Sequence, residues 1–270
     1  MSINSGNNNP SNAIGVFDSG IGGLSVLQEV HRLLPHENLI YVGDSAHAPY
    51  GDRSAEHVRE RSTFIANFLL GKSAKALVIA CNTATAEAAP LLRETLDIDV
   101  IGMEPAIKPA AELSKSGVIG VLATQRTIDS ERLLGLTERY ANDKKVLAQA
   151  CPGLVEQVEH GDLSSKATDA LLRQYIEPLL AQGADALILG CTHYPFLLPA
   201  IRKITGDHIE ILETGRPVAS QLKRVLEKNQ LINDQKTDKV NIRFYNSSDS
   251  QHHHKTMQTL WDKPIKINCL

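Results

Sequence analysis

Residues 62–81 read STFIANFLLGKSAKALVIAC, and residues 172–191 read LRQYIEPLLAQGADALILGC. Each passage begins with a stretch of helical period, passes a glycine, runs through a few apolar residues and stops at a cysteine. Short runs rich in Ile, Val and Leu recur along the chain, at 14–17, 39–42, 77–80, 100–102, 118–122, 187–190 and 209–212, with longer helical stretches between them. That alternation is how a parallel sheet with crossover helices is written in sequence, so the fold class is α/β. The echo widens to IGVFD at 14–18 and IGVLAT at 119–124, both ending in a polar residue where a strand gives way to a loop. Gly71 and Gly183 stand where each helix should stop. One α/β unit has been duplicated within the chain.

The chain has 270 residues, of which 42% are hydrophobic and 22% charged, enough for one large or two smaller cores. A formal charge of -3 gives no global attraction to nucleic acid or to an anionic membrane. The opening MSINSGNNNPSN lacks the basic start and apolar middle of a secretory signal and reads as a loose tail. No apolar run approaches the roughly 20 residues that cross a bilayer, so the expected location is cytoplasmic. Four cysteines, at 81, 151, 191 and 269, show no CxxC spacing and are expected as free thiols, with Cys151 structural and Cys269 incidental. His252, His253 and His254 read as a solvated face.

In an open α/β sheet ligands bind beyond the carboxyl ends of the strands, which here carry Asp18, Asp44, Cys81, Thr124 and Cys191. Two such units facing each other bring both cysteines to one cleft. Cys81 is followed by Asn82, Thr83 and Thr85, and Cys191 by Thr192 and His193, so each thiol sits among donors at the start of the next element. A helix N-terminus there is expected to lower a thiol's pKa from about 8.5. Two activated thiols on opposite walls suit a racemase, which removes a proton from one face of a carbon and returns one to the other. Asp18 beside one sulfur and His193 beside the other would manage the protons. The alternatives are two small buried hydrophobes, a metal site of Cys81, Cys191 and His193, or a Cys-His hydrolase, which leaves the second cysteine unexplained.

FDSGIGGLSVL at 17–27 admits a rival reading. Gly20 and Gly22 fit the start of a dinucleotide-binding G-x-G, with Ser25 at the final glycine position and Asp44 placed like a ribose-binding acid, which suggests an NAD-dependent oxidoreductase. The same glycines suit a backbone cradle for a small carboxylate, or a tight turn in which at least one takes a positive φ. YVGDSAHAPYGDRS at 41–54 is expected as a second cleft loop, presenting Tyr50 and Gly51.

Taken together, DSGIGG at 18–23, APYG at 48–51, ACNTATA at 80–86, CPGLVEQVEHG at 151–161 and LILGCTHYP at 187–195 resemble the glutamate racemase family in order and approximate spacing. The resemblance implies interconversion of L- and D-glutamate without a cofactor or a metal, supplying D-glutamate for peptidoglycan. It implies Cys81 and Cys191 as the acid/base pair, with Cys81 acting on the D isomer and Cys191 on the L isomer. Asp18, His193 and Glu159 would assist them, a surface helix charge being the other reading of Glu159. Substrate contacts would come from Asp18, Ser19, Tyr50, Gly51, Asn82, Thr83, Thr192 and His193. The implied fold is two pseudo-symmetric flavodoxin-like domains, one of 1–98 plus 211–270 and one of 99–210, with the site in the cleft and the run VNIRFY at 240–245 returning to the first. Neither nucleic acid nor membrane is an implied partner, and a homodimer is left open. Gln125 and Arg126, where relatives often carry glycine, and Glu213, where Asp is commoner, depart from the pattern. Other readings are an aspartate or other amino-acid racemase of the same superfamily, and a non-catalytic amino-acid-binding protein.

Overall fold

The computed structural model describes residues 9–234 and 241–270. Residues 1–8 of the expected tail and Val240 of the VNIRFY run lie outside the described residues. The first lobe opens with β1 (Ile14–Asp18), α1 (Leu24–Leu33), β2 (Leu39–Gly43), α2 (Ala55–Gly71), β3 (Ala76–Ile79), α3 (Asn82–Thr95) and β4 (Asp99–Ile101). The second holds α4 (Ile107–Leu113), β5 (Val118–Ala123), α5 (Gln125–Ile128), α6 (Glu131–Tyr140), β6 (Lys145–Ala150), α7 (Leu154–Glu159), α8 (Lys166–Ala181), β7 (Ala186–Leu189), α9 (Leu198–Thr205) and β8 (Glu210–Leu212). The chain then returns to the first lobe in α10 (Gly215–Lys228), β9 (Ile242–Asn246), α11 (Gln251–Trp261) and β10 (Ile267–Cys269).

Every strand pairing is parallel, in the orders β10-β9-β2-β1-β3-β4 and β6-β5-β7-β8. The core order 2-1-3-4 appears in both sheets, which is the duplication expressed as topology. Strands buried on both faces need apolar residues throughout, and β1 meets this with Ile14, Val16 and Phe17 all fully buried. Each such side chain contributes about 1.5–3 kcal/mol by leaving water. One apolar cluster spans both lobes, with Ile21 and Leu24 from the first and Leu122, Leu154 and Tyr194 from the second.

The two helix ends before β3 and β7 are built alike, though not by the glycines the sequence pairs. Ala74 N–H reaches Leu69 O at 3.1 Å and Ala184 N–H reaches Leu179 O at 3.1 Å, each the long bond of a Schellman motif. The left-handed residues are Ser73, with φ 60°, and Gly183, with φ 89°. Gly71 is instead the last residue of α2, so Ser73 is the counterpart of Gly183. The backbone geometry repeats where residue identity does not.

The chain crosses between the lobes twice, at residues 102–106 and 213–214, so that β4 belongs to the first sheet and β8 to the second, a few residues beyond the expected divisions at 98 and 210. After the first crossing α4 packs on α6, β7 and β8, and after the second α10 packs on α1 and β4. Near the far end of the first sheet Lys75 and Glu37 form a buried ion pair at 2.5 Å. Lys75 also donates to the carbonyl of Leu231, so the start of the fold is tied to the segment after α10.

Candidate active site

The order 2-1-3-4 reverses direction between β1 and β3, and again between β5 and β7, leaving a crevice at the carboxyl end of each sheet. The two crevices face one another. Ser19, Tyr50, Gly51, Cys81, Asn82 and Thr83 of the first lobe and Cys191, Thr192 and His193 of the second line one cavity of about 280 Å3. The space between the facing walls is narrow. A larger cavity of about 890 Å3 beside the two crossings is lined by Arg93, Glu104, Arg132 and Thr214 and contains neither cysteine.

Cys81 caps α3: its sulfur accepts the Ala84 N–H at 3.3 Å and approaches the Ser19 hydroxyl at 3.7 Å. The expected lowering of its pKa does not follow. Burial pushes the thiol well up and the Asp18 charge adds to this, while the Ala84 N–H and the Ser19 hydroxyl pull it only partly back. Cys81 is thereby held as a thiol, the form that gives a proton.

Cys191 follows β7 without an α-helix to cap; a short 3-10 turn, Tyr194–Leu197, comes next. Its sulfur faces His193 Nδ1 at 3.6 Å, and His193 Nε2 meets Glu159 Oε1 at 2.7 Å. Burial opposes a charged ring, yet the hydrogen bonds and charges of Cys191 and Glu159 outweigh it, and the imidazole is held well above its ordinary range. Burial likewise pushes Glu159 up, but His193 and the Ile21 N–H at 2.7 Å bring its carboxyl below the usual value. A protonated imidazole at this position is where a thiolate would find its counter-charge.

Asp18 and Glu159 are buried but do not line the cavity; each stands one layer behind it. Asp18 accepts the Gly23 N–H at 2.8 Å and the Thr192 hydroxyl at 3.4 Å, so it spans the lobes beneath the glycine loop. Burial raises its pKa, with His193 and the Gly23 N–H opposing. None of Gly20, Gly22 and Gly23 is among the positive-φ glycines, contrary to the turn expectation. Close approach requires all three: a Cβ on Gly20 would lie 1.9 Å from Glu159 Oε1, one on Gly22 would lie 2.3 Å from His193 Nδ1, and one on Gly23 would lie 2.5 Å from Asp18 Cβ.

The dinucleotide reading is overturned by the same geometry. Asp44 is gripped by Arg61, with Nε and Nη2 each at 2.9 Å, and accepts the Tyr50 hydroxyl at 2.6 Å, so it is no free ribose ligand. Its work is to hold Tyr50, whose ring lines the cavity. Among the described residues no group of three His, Cys, Asp or Glu side chains is arranged to hold a metal ion.

Asn82 is buried with both amide atoms unpartnered, an arrangement that costs stability until a ligand's polar groups meet them. Sequence reasoning placed Thr124 at a strand end without a site role, and it passed over Thr127. Their hydroxyls and that of Thr83 form a triangle across the cleft, with Thr124 at 3.0 Å from both others and Thr83 at 3.3 Å from Thr127. Thr124 caps α5, a signal readable in T-x-x-T, but its partner Thr83 lies 41 residues away.

The His193–Glu159 pair fixes a pH dependence. His193 has a folded pKa above its ordinary 6.5, so its contribution to stability is complete below that pH and is lost as pH rises through the folded value. Glu159 has a folded pKa below its ordinary 4.5, so its contribution is present above that pH and is lost as pH falls through the folded value. Thermal melts of wild type and His193→Gln from about pH 4 to 10 are expected to differ most near pH 5–6 and to converge in alkali. A gap that widens in alkali contradicts this account.

A family model described as Asp/Glu/Hydantoin racemase matches residues 14–221. The chain is 49% identical over 256 residues to the glutamate racemase of Ectopseudomonas mendocina, covering 94% of this chain and 97% of the relative. The crystal structure of Escherichia coli glutamate racemase in complex with L-glutamate and the activator UDP-MurNAc-ala matches with a TM-score of 0.85 at 29% identity, covering 96% and 97% of the two chains. That of Francisella tularensis glutamate racemase in complex with D-glutamate matches with a TM-score of 0.84 at 29% identity, covering 97% and 98%.

Proposed function

The chain belongs to the Asp/Glu/hydantoin racemase family, and we propose that it interconverts L- and D-glutamate by passing the α-proton between Cys81 and Cys191. One observation carries the reading. The equivalent strands β3 and β7 of a duplicated unit each deliver a cysteine, one from each lobe, to the lining of one narrow cavity, and different charges back the two sulfurs. In the L-to-D direction the Cys191 thiolate, paired with the His193 imidazolium, takes the α-proton, and the Cys81 thiol returns one to the other face. The reverse direction exchanges the roles. The α-proton is only weakly acidic, so donors around the α-carboxylate must stabilise the transition state far better than water does. Ser19, Asn82, Thr83 and Thr192 are suited to this, and the narrow cleft leaves little room for water beside them.

The mechanism draws on no cofactor. The product suits peptidoglycan assembly, with the enzyme in the cytoplasm, and a homodimer is compatible with the fold. Identity near one half to glutamate racemases favours glutamate over aspartate as substrate. Purified protein added to L-glutamate, with no cofactor supplied, is expected to bring the circular dichroism signal to zero. A signal that persists rejects the proposal, and faster loss from L-aspartate reassigns the substrate. An amino-acid-binding protein would be stabilised by glutamate without exchanging its α-proton into heavy water.

A further inference from the structure

The two oxygens of Glu159 have different neighbours. Oε1 meets His193 and the Ile21 N–H, whereas Oε2 turns toward the C-terminal part of the chain, with the Ser45 hydroxyl at 3.4 Å and His253 Nε2 at 3.9 Å. Ser45 accepts from Asn246 Nδ2 at 3.1 Å, and the fully buried Asn246 accepts the Ser248 N–H at 2.8 Å. The Ser248 hydroxyl meets His253 Nδ1 at 2.8 Å, which closes a ring of five residues that includes Glu159. Because Nδ1 is engaged there, the ring of His253 is fixed with Nε2 toward the carboxylate. The titratable groups that face His253 include Glu159 and His160 from the second lobe and His252 and His254 from its own helix, and burial pushes its ring below the ordinary imidazole range.

We propose that His253 is a positioning residue for the Glu159–His193 pair: it closes the ring that keeps the Ser45 hydroxyl on the outer carboxylate oxygen, so that the inner one stays on the imidazole facing Cys191. The solvated face assigned to 252–254 by sequence thus applies to His252, which is exposed, and not to His253 or His254, which are partly buried. The kinetic part of the inference rests on the two-thiol reading above.

The test uses full-length His253→Leu, which removes both contacts, and His253→Gln, which keeps a polar reach to Ser248. Racemisation has an equilibrium constant of one, so kcat/KM must fall equally for both enantiomers; a loss of about tenfold is expected in the Leu variant, about 1.4 kcal/mol, and less in the Gln variant. Slowing only the step at Cys191 raises the primary α-deuterium isotope effect from the enantiomer that Cys191 deprotonates and lowers it from the other. A general loosening of the cleft would move both effects alike, and that result, or an unchanged kcat/KM, overturns the proposal. Nitrogen-15 NMR of the imidazoles gives a readout independent of turnover: the titration of His193 is expected to move toward that of an ordinary imidazole in the Leu variant. An unmoved titration also overturns the proposal. A wild type inactive on glutamate would instead sink the functional reading, leaving the NMR result to decide the role of His253.

Discussion

Replacing either Cys81 or Cys191 with alanine lowers kcat for racemisation by about 10³-fold or more, within the range of a lost general acid or base. The magnitude follows from the need for one proton donor and one acceptor in every turnover, since neither sulfur can replace the other from the opposite wall. The two variants should differ in what survives. Cys81→Ala retains the Cys191–His193–Glu159 chain, and is expected to exchange the α-proton of L-glutamate into heavy water without inversion. Cys191→Ala keeps the sulfur beside Ser19 and should show the mirror behaviour with D-glutamate. Proton NMR in heavy water reads exchange and inversion together. Full racemisation by either single variant, within tenfold of wild type, would end the two-thiol account.

The second large effect comes from the glycine loop. An alanine at position 20 would place its Cβ 1.9 Å from a Glu159 oxygen, and one at 22 would place it 2.3 Å from the His193 ring. Real Cβ contacts of that length do not persist, so the Glu159–His193 pair must shift by an ångström or more. A displacement of about 1 Å in a catalytic constellation costs about 10²-fold in rate. Gly20→Ala and Gly22→Ala are each expected to lose that much kcat/KM while the far-UV circular dichroism stays native. Gly71→Ala is the control, because nothing lies within 4 Å of the added carbon and the loop is untouched. Activity within threefold of wild type in both loop variants would show that the loop tolerates side chains and that the contact reading is wrong.

The parts of this architecture that sequence reveals are those written as local pattern. The apolar runs locate β1, β2, β3, β5 and β7 to within a residue or two, because strands buried on both faces must be continuously hydrophobic, and the edge strands β4 and β8 are found by short apolar runs of their own. β6, KVLAQA, escapes because it is an edge strand whose residues are half-buried or exposed, so its composition carries no such run. β10 adds to the far edge through a three-residue pairing with β9, too short to announce itself. Both cysteines are legible because a duplication repeats their context. Glu159 is not, since its partner N–H at Ile21 is 138 residues away and its helix alone reads as a charged surface turn. The pKa of Cys81 is misjudged for a related reason: a helix N-terminus is visible in sequence, while complete burial beside Asp18 is a property of the assembled cleft.

Two separate passages of backbone join the lobes, at residues 102–106 and 213–214. A body hung on one strand can swivel in any direction, whereas one hung on two pins swings about the line through them like a door. The cavity between the sulfurs is narrow, and a door that widens it to admit glutamate turns about that line. With torsion resisted by the second pin, every swing brings the same two faces back into register, and the aim of each sulfur at the α-carbon is reset by the frame rather than found afresh.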